Sequence, residues 1–454
     1  MTLNAPKNPN YSATVVELSQ FVDLPNCDNV KHALIFGNCV IVGKDSKAGD
    51  VGLFFPVETQ LLREFLANNN LFRKPEWGNI DPEKKGFFEE HGRVKCMKFR
   101  GHKSEGFFIP ISCLEYLPKV ADLKIGDTFD ELFDHPICKK YIPHQKAKGL
   151  ANTPPTAKKK KIDMFVENQF RFHFDTENLR RNIHKIQPTD IISISDKWHG
   201  TSAVFANVLV KRELPWYERL LKRLGVPVVE AEYGFAWSSR KVIKGVNGEE
   251  KNSNHYYDTD LWGAWGKKIE PWLPKGFTIY GEIVGYTDGG AQIQKGYSYE
   301  CCLSGSRFMV YRVTFTNVDG KVIELNWNQM KQFCTKYGLE MVKEFWYGTA
   351  GEFPLVEVPQ YKGRSINRAD FQVPEGEEGL WQALFLRSVE EAYVNNKPCP
   401  YNDNKVPAEG IVVHIYRLEE CEAYKLKNFD FLSRESKLLD SEELDLETAE
   451  SLDN

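Results

Sequence analysis

Apolar and polar positions divide the chain into a β-rich front part and a larger mixed part. From about residue 12 to 117, short apolar runs alternate with Gly, Asp and Lys clusters. The runs at 13–18, 32–42, 51–56, 93–100 and 106–111 predict strands. Leu61, Leu62, Phe65 and Leu66 share one face of a predicted helix within 60–70. Five short strands suit a small all-β barrel of the OB type. From about 162 to 431, runs at 191–195, 203–210, 233–237, 277–284, 308–315, 410–416 and 423–426 predict strands. Segments 258–272, 326–337 and 380–394 predict helices. Leu261, Trp262, Trp265 and Ile269 recur at helical spacing and read as core. The expected fold class is α/β (α+β) with mainly antiparallel sheets, preceded by the small barrel. The expected divisions are 1–138 for the N-terminal part, 139–161 for a linker, 162–432 for the large domain and 433–454 for a tail.

Composition changes this picture little. Of 454 residues, 42% are hydrophobic and 27% charged, as in soluble globular chains. No apolar run is long enough to span a bilayer, and the start lacks the pattern of a signal peptide. The ten cysteines form no Cys-x-x-Cys pair and no zinc spacing, which suits a reducing compartment. A cytoplasmic, monomeric protein without a membrane partner is expected. Charge is more telling. The stretch 435–454 holds eight acids and one lysine, which leaves the remainder near +3 against a total of −4. The stretch 139–161 holds eight lysines and no acid, which suits either a phosphate-rich partner or a solvated linker. Arg93, Lys95, Lys98, Arg100 and Lys103 give the front part a basic edge.

The chemistry gathers around strand ends. Asp196-Lys197-Trp198-His199-Gly200-Thr201-Ser202 sets a lysine at the rim of a sheet, beside a glycine that permits close backbone approach. An amine so placed is a candidate covalent nucleophile. Ser239-Arg240 follows a strand, Tyr280-Gly281-Glu282 puts an acid inside an apolar run, and Phe308 to Tyr311 offers aromatics. Glu409 precedes another apolar run, and Lys425 and Lys427 share one face of the last strand. Each has an ordinary structural explanation; their order and types together do not.

In that order they resemble the nucleotidyl motifs of the covalent nucleotidyltransferase superfamily of RNA and DNA ligases and mRNA capping enzymes. Lys197 to Gly200 looks like motif I, Ser239-Arg240 like motif Ia, Tyr280 to Glu282 like motif III and Phe308 to Tyr311 like motif IIIa. Glu409 to Val412 looks like motif IV, and Lys425 to Lys427 like motif V. Motif I and Gln292 to Tyr299 are similar to the group of phage T4-type RNA ligases 2 and the editing ligases. A barrel in front, with too little chain after motif V for one behind, is similar to the Deinococcus-type and Naegleria-type RNA ligases. The segments Leu24 to Asn29 and Lys98 to Gly106 look like that N-terminal part. Three positions depart from pattern: His199 stands where the Naegleria type has Asp, Tyr311 replaces the usual Phe, and Arg312 the usual Asp.

The resemblance implies an ATP-dependent RNA ligase. It would join RNA 3′-OH and 5′-phosphate ends, at nicks in duplexes and in RNA repair, through lysyl-AMP and RNA-adenylate. ATP and Mg²⁺ or Mn²⁺ are the implied cofactors. Lys197, Lys425, Lys427 and His199 would be catalytic. Asp196, Trp198, Gly200, Arg240, Glu282, Phe308, Tyr311, Glu409, Lys425 and Lys427 would bind nucleotide, with Glu282 and Glu409 also holding metal. Tyr311, or in its place Phe308, would stack on adenine, and Arg240 would hold the RNA 5′-phosphate. The competing readings are a DNA ligase, a capping guanylyltransferase, and an RNA-binding relative without catalysis.

Overall fold

The computed structural model describes residues 3–117, 123–143, 164–173, 176–250, 259–357, 360–361, 363–417 and 421–440. Most of the expected linker, and the acidic stretch from 441 onward, lie outside the described residues.

Two largely antiparallel sheets organise the large domain, and the chain crosses between them at Trp198–Gly200. The first sheet runs in the order Glu177–Asn178, Cys421–Lys427, Gly410–Tyr416, Ile191–Lys197, Glu344–Thr349, with only its first pair parallel. The second runs Glu249–Glu250, Ile243–Val246, Ala231–Ser238, Thr201–Lys211, Phe277–Gly285, Ser306–Thr316, Val322–Glu324. Glu340–Met341 adds a parallel partner to Ser306–Thr316. Helix Leu261–Ile269 packs on the second sheet with Leu261, Trp262 and Ile269 buried, so the aromatic stripe is core as expected. Helix Trp327–Tyr337 starts at an Asn326–Gln329 capping box and stops at Gly338 in the left-handed region. Helix Glu377–Val389, continued by a π-helical turn to Val394, covers the first sheet.

The N-terminal part holds a four-stranded sheet, Thr128–Phe129, Ala13–Glu17, Val51–Pro56, Gly106–Pro110, and a three-stranded one, Phe21–Asp23, Val30–Ile35, Asn38–Gly43. The single run expected at 32–42 is therefore a hairpin. It turns at Phe36 and Gly37, both with positive φ, the backbone a two-residue hairpin turn requires. The run at 93–100 yields only Met97–Phe99, and the helix only Arg63–Asn68, because Thr59–Leu61 pairs with Cys138–Lys140 instead. That pairing carries the N-terminal part past the boundary expected at 138.

The two parts are joined by buried charge. Arg180 of the large domain bonds Glu390 at 2.7 Å and reaches Glu105 at 3.1 Å and Asn38 in the N-terminal part. Helix Phe429–Asp440, just after the last strand, docks on the same part. Arg93 bonds the Ser436 carbonyl at 2.9 Å and Asp440 at 2.6 Å; Lys95 pairs with Asp440, and Lys98 with Asp430. Lys103 lies over the Phe429 ring. Most of the expected basic edge thus faces this helix rather than a nucleic acid. Asp430 at the end of the large domain and Asp440 in the expected tail balance it.

Candidate active site

Strand register builds the site. Lys197 pairs with Gly410, and Gly410 with Lys427, so three neighbouring strands bring Lys197, Glu409 and Lys427 to one row. Glu409 is buried. Its Oε1 accepts Lys197 Nζ at 2.8 Å and Lys427 Nζ at 3.2 Å. Its Oε2 has no hydrogen-bond partner and lies 3.8 Å from His199 Nδ1. Burial alone would raise the Glu409 carboxyl, but Lys197, Lys427 and His199 together hold it below the ordinary carboxylate range. Lys427 also pairs with Glu435 of the following helix at 3.1 Å.

Two glycines make this closeness possible. A Cβ on Gly410 would lie 2.0 Å from the Leu426 carbonyl oxygen. A Cβ on Gly200 would lie 2.3 Å from the Ile283 carbonyl oxygen. With no side chain there, the Gly200 amide donates to Glu282 Oε1 at 3.0 Å, which ties motif I to the second sheet. The His199 amide donates to the Tyr299 hydroxyl at 2.7 Å, and the Tyr299 ring stacks on Trp198 at 4.5 Å.

Between the two sheets and the N-terminal part lies a cavity of about 230 Å³. Asp196, Lys197, Trp198, Arg240, Glu282, Tyr311, Lys425 and Lys427 line it. Tyr311 is the extra residue of a β-bulge, since Tyr280 pairs with Arg312 and Gly281 with Val310. A bulge re-aims a side chain, and here the Tyr311 hydroxyl sits 3.2 Å from Ser202 Oγ and 3.1 Å from His173 Nδ1. Phe308 is not brought to the cavity. It is buried against Phe205 and Trp265 in the core. Burial pushes the Asp196 carboxyl up to about 7 despite Lys343 and Lys197 nearby.

The structure adds residues that local sequence reading missed. Tyr11, Glu58, Lys140 and Tyr141 of the N-terminal part line the same cavity, as do Arg180, Arg181 and His414 of the large domain. No spacing signal marks the first four, because they reach the site only through docking of the two parts; His414 lies on the strand Gly410–Tyr416 of the site's own sheet.

Chemically, the arrangement offers one amine held by a buried carboxylate, with two further lysines, an arginine and a tyrosine along one cavity. The donor set fits a divalent ion: Glu282 and Glu409 are oxygen ligands, and Glu409 Oε2 is a buried carboxylate oxygen lacking a hydrogen bond.

Residues 190–426 match the model of the RNA ligase family. No curated protein sequence matches the chain. Among solved structures, the fold is similar to three of Naegleria gruberi RNA ligase. A mutant with AMP and Mn matches at TM-score 0.54 and 13% identity over 93% of this chain and 98% of that one. Another mutant with ATP and Mn matches at 0.53 and 13% over 94% and 99%. The enzyme with PPi matches at 0.53 and 13% over 94% and 98%. This likeness shows the fold, mixed α and β with mostly antiparallel sheets.

Proposed function

The chain belongs to the RNA ligase family, and on that premise we propose how its residues carry the reaction. It is an ATP-dependent RNA ligase. Lys197 Nζ, once it has lost its proton, attacks the α-phosphorus of ATP. A P–N bond forms as the bond to pyrophosphate breaks. AMP then passes to an RNA 5′-phosphate, and an RNA 3′-OH displaces it. We read the substrate as a nicked duplex, the setting as RNA repair in the cytoplasm, the enzyme as a monomer and the N-terminal part as an OB-type clamp on the strand.

The observation that carries this reading is the shared carboxylate. Glu409 holds Lys197 at 2.8 Å and Lys427 at 3.2 Å. Two cations on one anion keep the nucleophile aimed. Lys425 and Lys427 are placed to balance charge on the transferring phosphate. Tyr311 would stack on adenine, Glu282 touch the ribose and Arg240 hold the RNA 5′-phosphate. Glu282 and Glu409 would hold Mg²⁺ or Mn²⁺, which neutralises the phosphate oxygens when bound.

Incubation with α-labelled ATP and a divalent ion should leave label on the protein, and Lys197→Ala should remove it. Label from GTP alone would point to capping, and no label from either to a binding protein. Sealing should also require a ribose 2′-OH on the 3′-OH side of the break; equal sealing of all-DNA nicks would refute the RNA assignment.

A further inference from the structure

Lys211 and Ala231 face each other at the open end of two paired strands, where a short turn would close the hairpin. Residues 212–230 intervene instead, and they contain the helix Trp216–Arg223. This helix buries no residue. Trp216, Tyr217, Leu220, Leu221 and Leu224 fall within one half of its circumference, and all are exposed, Trp216 by 77% and Leu224 by 70%. Val226 and Val229 extend the exposed apolar surface. The opposite half carries Glu218, Arg219 and Lys222, and Arg223 sits at the boundary.

The segment is held in shape. Arg212 pairs with Glu218, Arg219 Nε donates to the Leu214 carbonyl at 2.7 Å, and Lys222 pairs with Glu230 at 2.6 Å. The apolar face is therefore presented by a built element. It contributes nothing to any core cluster, so folding does not account for it.

We propose that this helix is a membrane-surface anchor that lies in the interface of an anionic bilayer. The pattern decides the occupant. Leucines and paired aromatics on one half enter the acyl boundary, while Arg219, Lys222 and Arg223 remain among headgroups. Residues 211–230 carry five bases and three acids, so the local charge complements an anionic lipid. No helix among the described residues is long and apolar enough to cross a membrane. A helix lying along the surface needs no such length. The site would bring the ligase to a lipid surface and plays no part in the chemistry at Lys197.

The test uses the full chain with vesicles of phosphatidylcholine, with and without phosphatidylserine. Co-sedimentation should be at least ~10-fold stronger with phosphatidylserine, and Trp216 fluorescence should shift to the blue. L220S/L224S removes apolar surface and keeps every charge. It should abolish vesicle binding and leave labelling by α-labelled ATP unchanged. Binding that survives L220S/L224S would overturn the proposal, since the basic surface alone would then explain it. So would a concentration-dependent dimer abolished by the same variant, which would assign the face to a second copy. Absence of binding to either vesicle would likewise overturn it.

Discussion

At the scale of single residues, the site is governed by what burial does to charge. Asp196 precedes the nucleophile, and burial pushes its carboxyl up to about 7 against an ordinary value of 3.8. Between those values the folded protein keeps a proton that the unfolded chain has lost. Stability therefore falls as pH rises through that window. Asp196→Asn has no proton to lose there. It should match the parent near the bottom of the window and exceed it above the top by roughly 4 kcal/mol. Thermal melting of both proteins across the window tests this, and a difference that does not grow with pH would refute it. Lys197, Glu282, Glu409, Lys425 and Lys427 stood out as candidates in sequence, because each sits at a strand end or inside an apolar run, where a charge is conspicuous. Which of two aromatics reaches the cavity was not settled there. Phe308 and Tyr311 lie three apart on one strand, and only the bulge at Tyr311 separates a cavity side chain from a core one.

At the scale of elements, register does the positioning. Lys197, Gly410 and Lys427 lie opposite one another, so a shift by one residue would send Lys197 and Lys427 to opposite faces. Gly410 sets the approach of the two strands. Gly410→Ala places a methyl 2.0 Å from the Leu426 carbonyl and should cost about 1–3 kcal/mol or more as the strands part. Labelling by ATP should fall with it, because Glu409 moves away from Lys427. Normal labelling in a normally stable variant would show that the register row is not what aligns the amines. The expected helices and strands of the large domain formed with their ends shifted by a few residues, but the strand Glu344–Thr349 and the helices Trp216–Arg223 and Phe429–Asp440 were not among them. The hairpin at Phe36-Gly37 was hidden because apolar residues run on through the turn with only one glycine to mark it.

Across the whole molecule, buried ion pairs hold the N-terminal part over the cavity. Arg180 lies between Glu105 on one side and Glu390 on the other. Arg180→Met would leave Glu105 buried without its cation, while Glu390 keeps Arg387 at 3.3 Å, at a cost of about 3–5 kcal/mol. We expect a lower melting temperature and a loss of sealing, with both parts still folded by circular dichroism. A melting temperature unchanged from the parent would mean that docking rests on the helix Phe429–Asp440 alone. That helix carries the second joint: Glu435 reaches Lys427, and Ser436 Oγ donates to Glu58 at 2.8 Å. The last strand of the site and the N-terminal part are thus linked through one element.

The chain by itself singled out the candidate site residues, their order, and most of the strands that carry them, since apolar alternation and isolated charges are local signals. Tertiary structure decided which cations meet which anions. Arg93, Lys95 and Lys98 read as a basic edge in sequence, Asp430 as part of the large domain and Asp440 as part of the tail expected from 433. Folding set them against each other when the helix Phe429–Asp440 docked on the N-terminal part: Arg93 is buried there against Asp440, while Lys98 and Asp430 meet at the solvent-exposed edge. No pattern along a sequence records a meeting between residues more than three hundred positions apart.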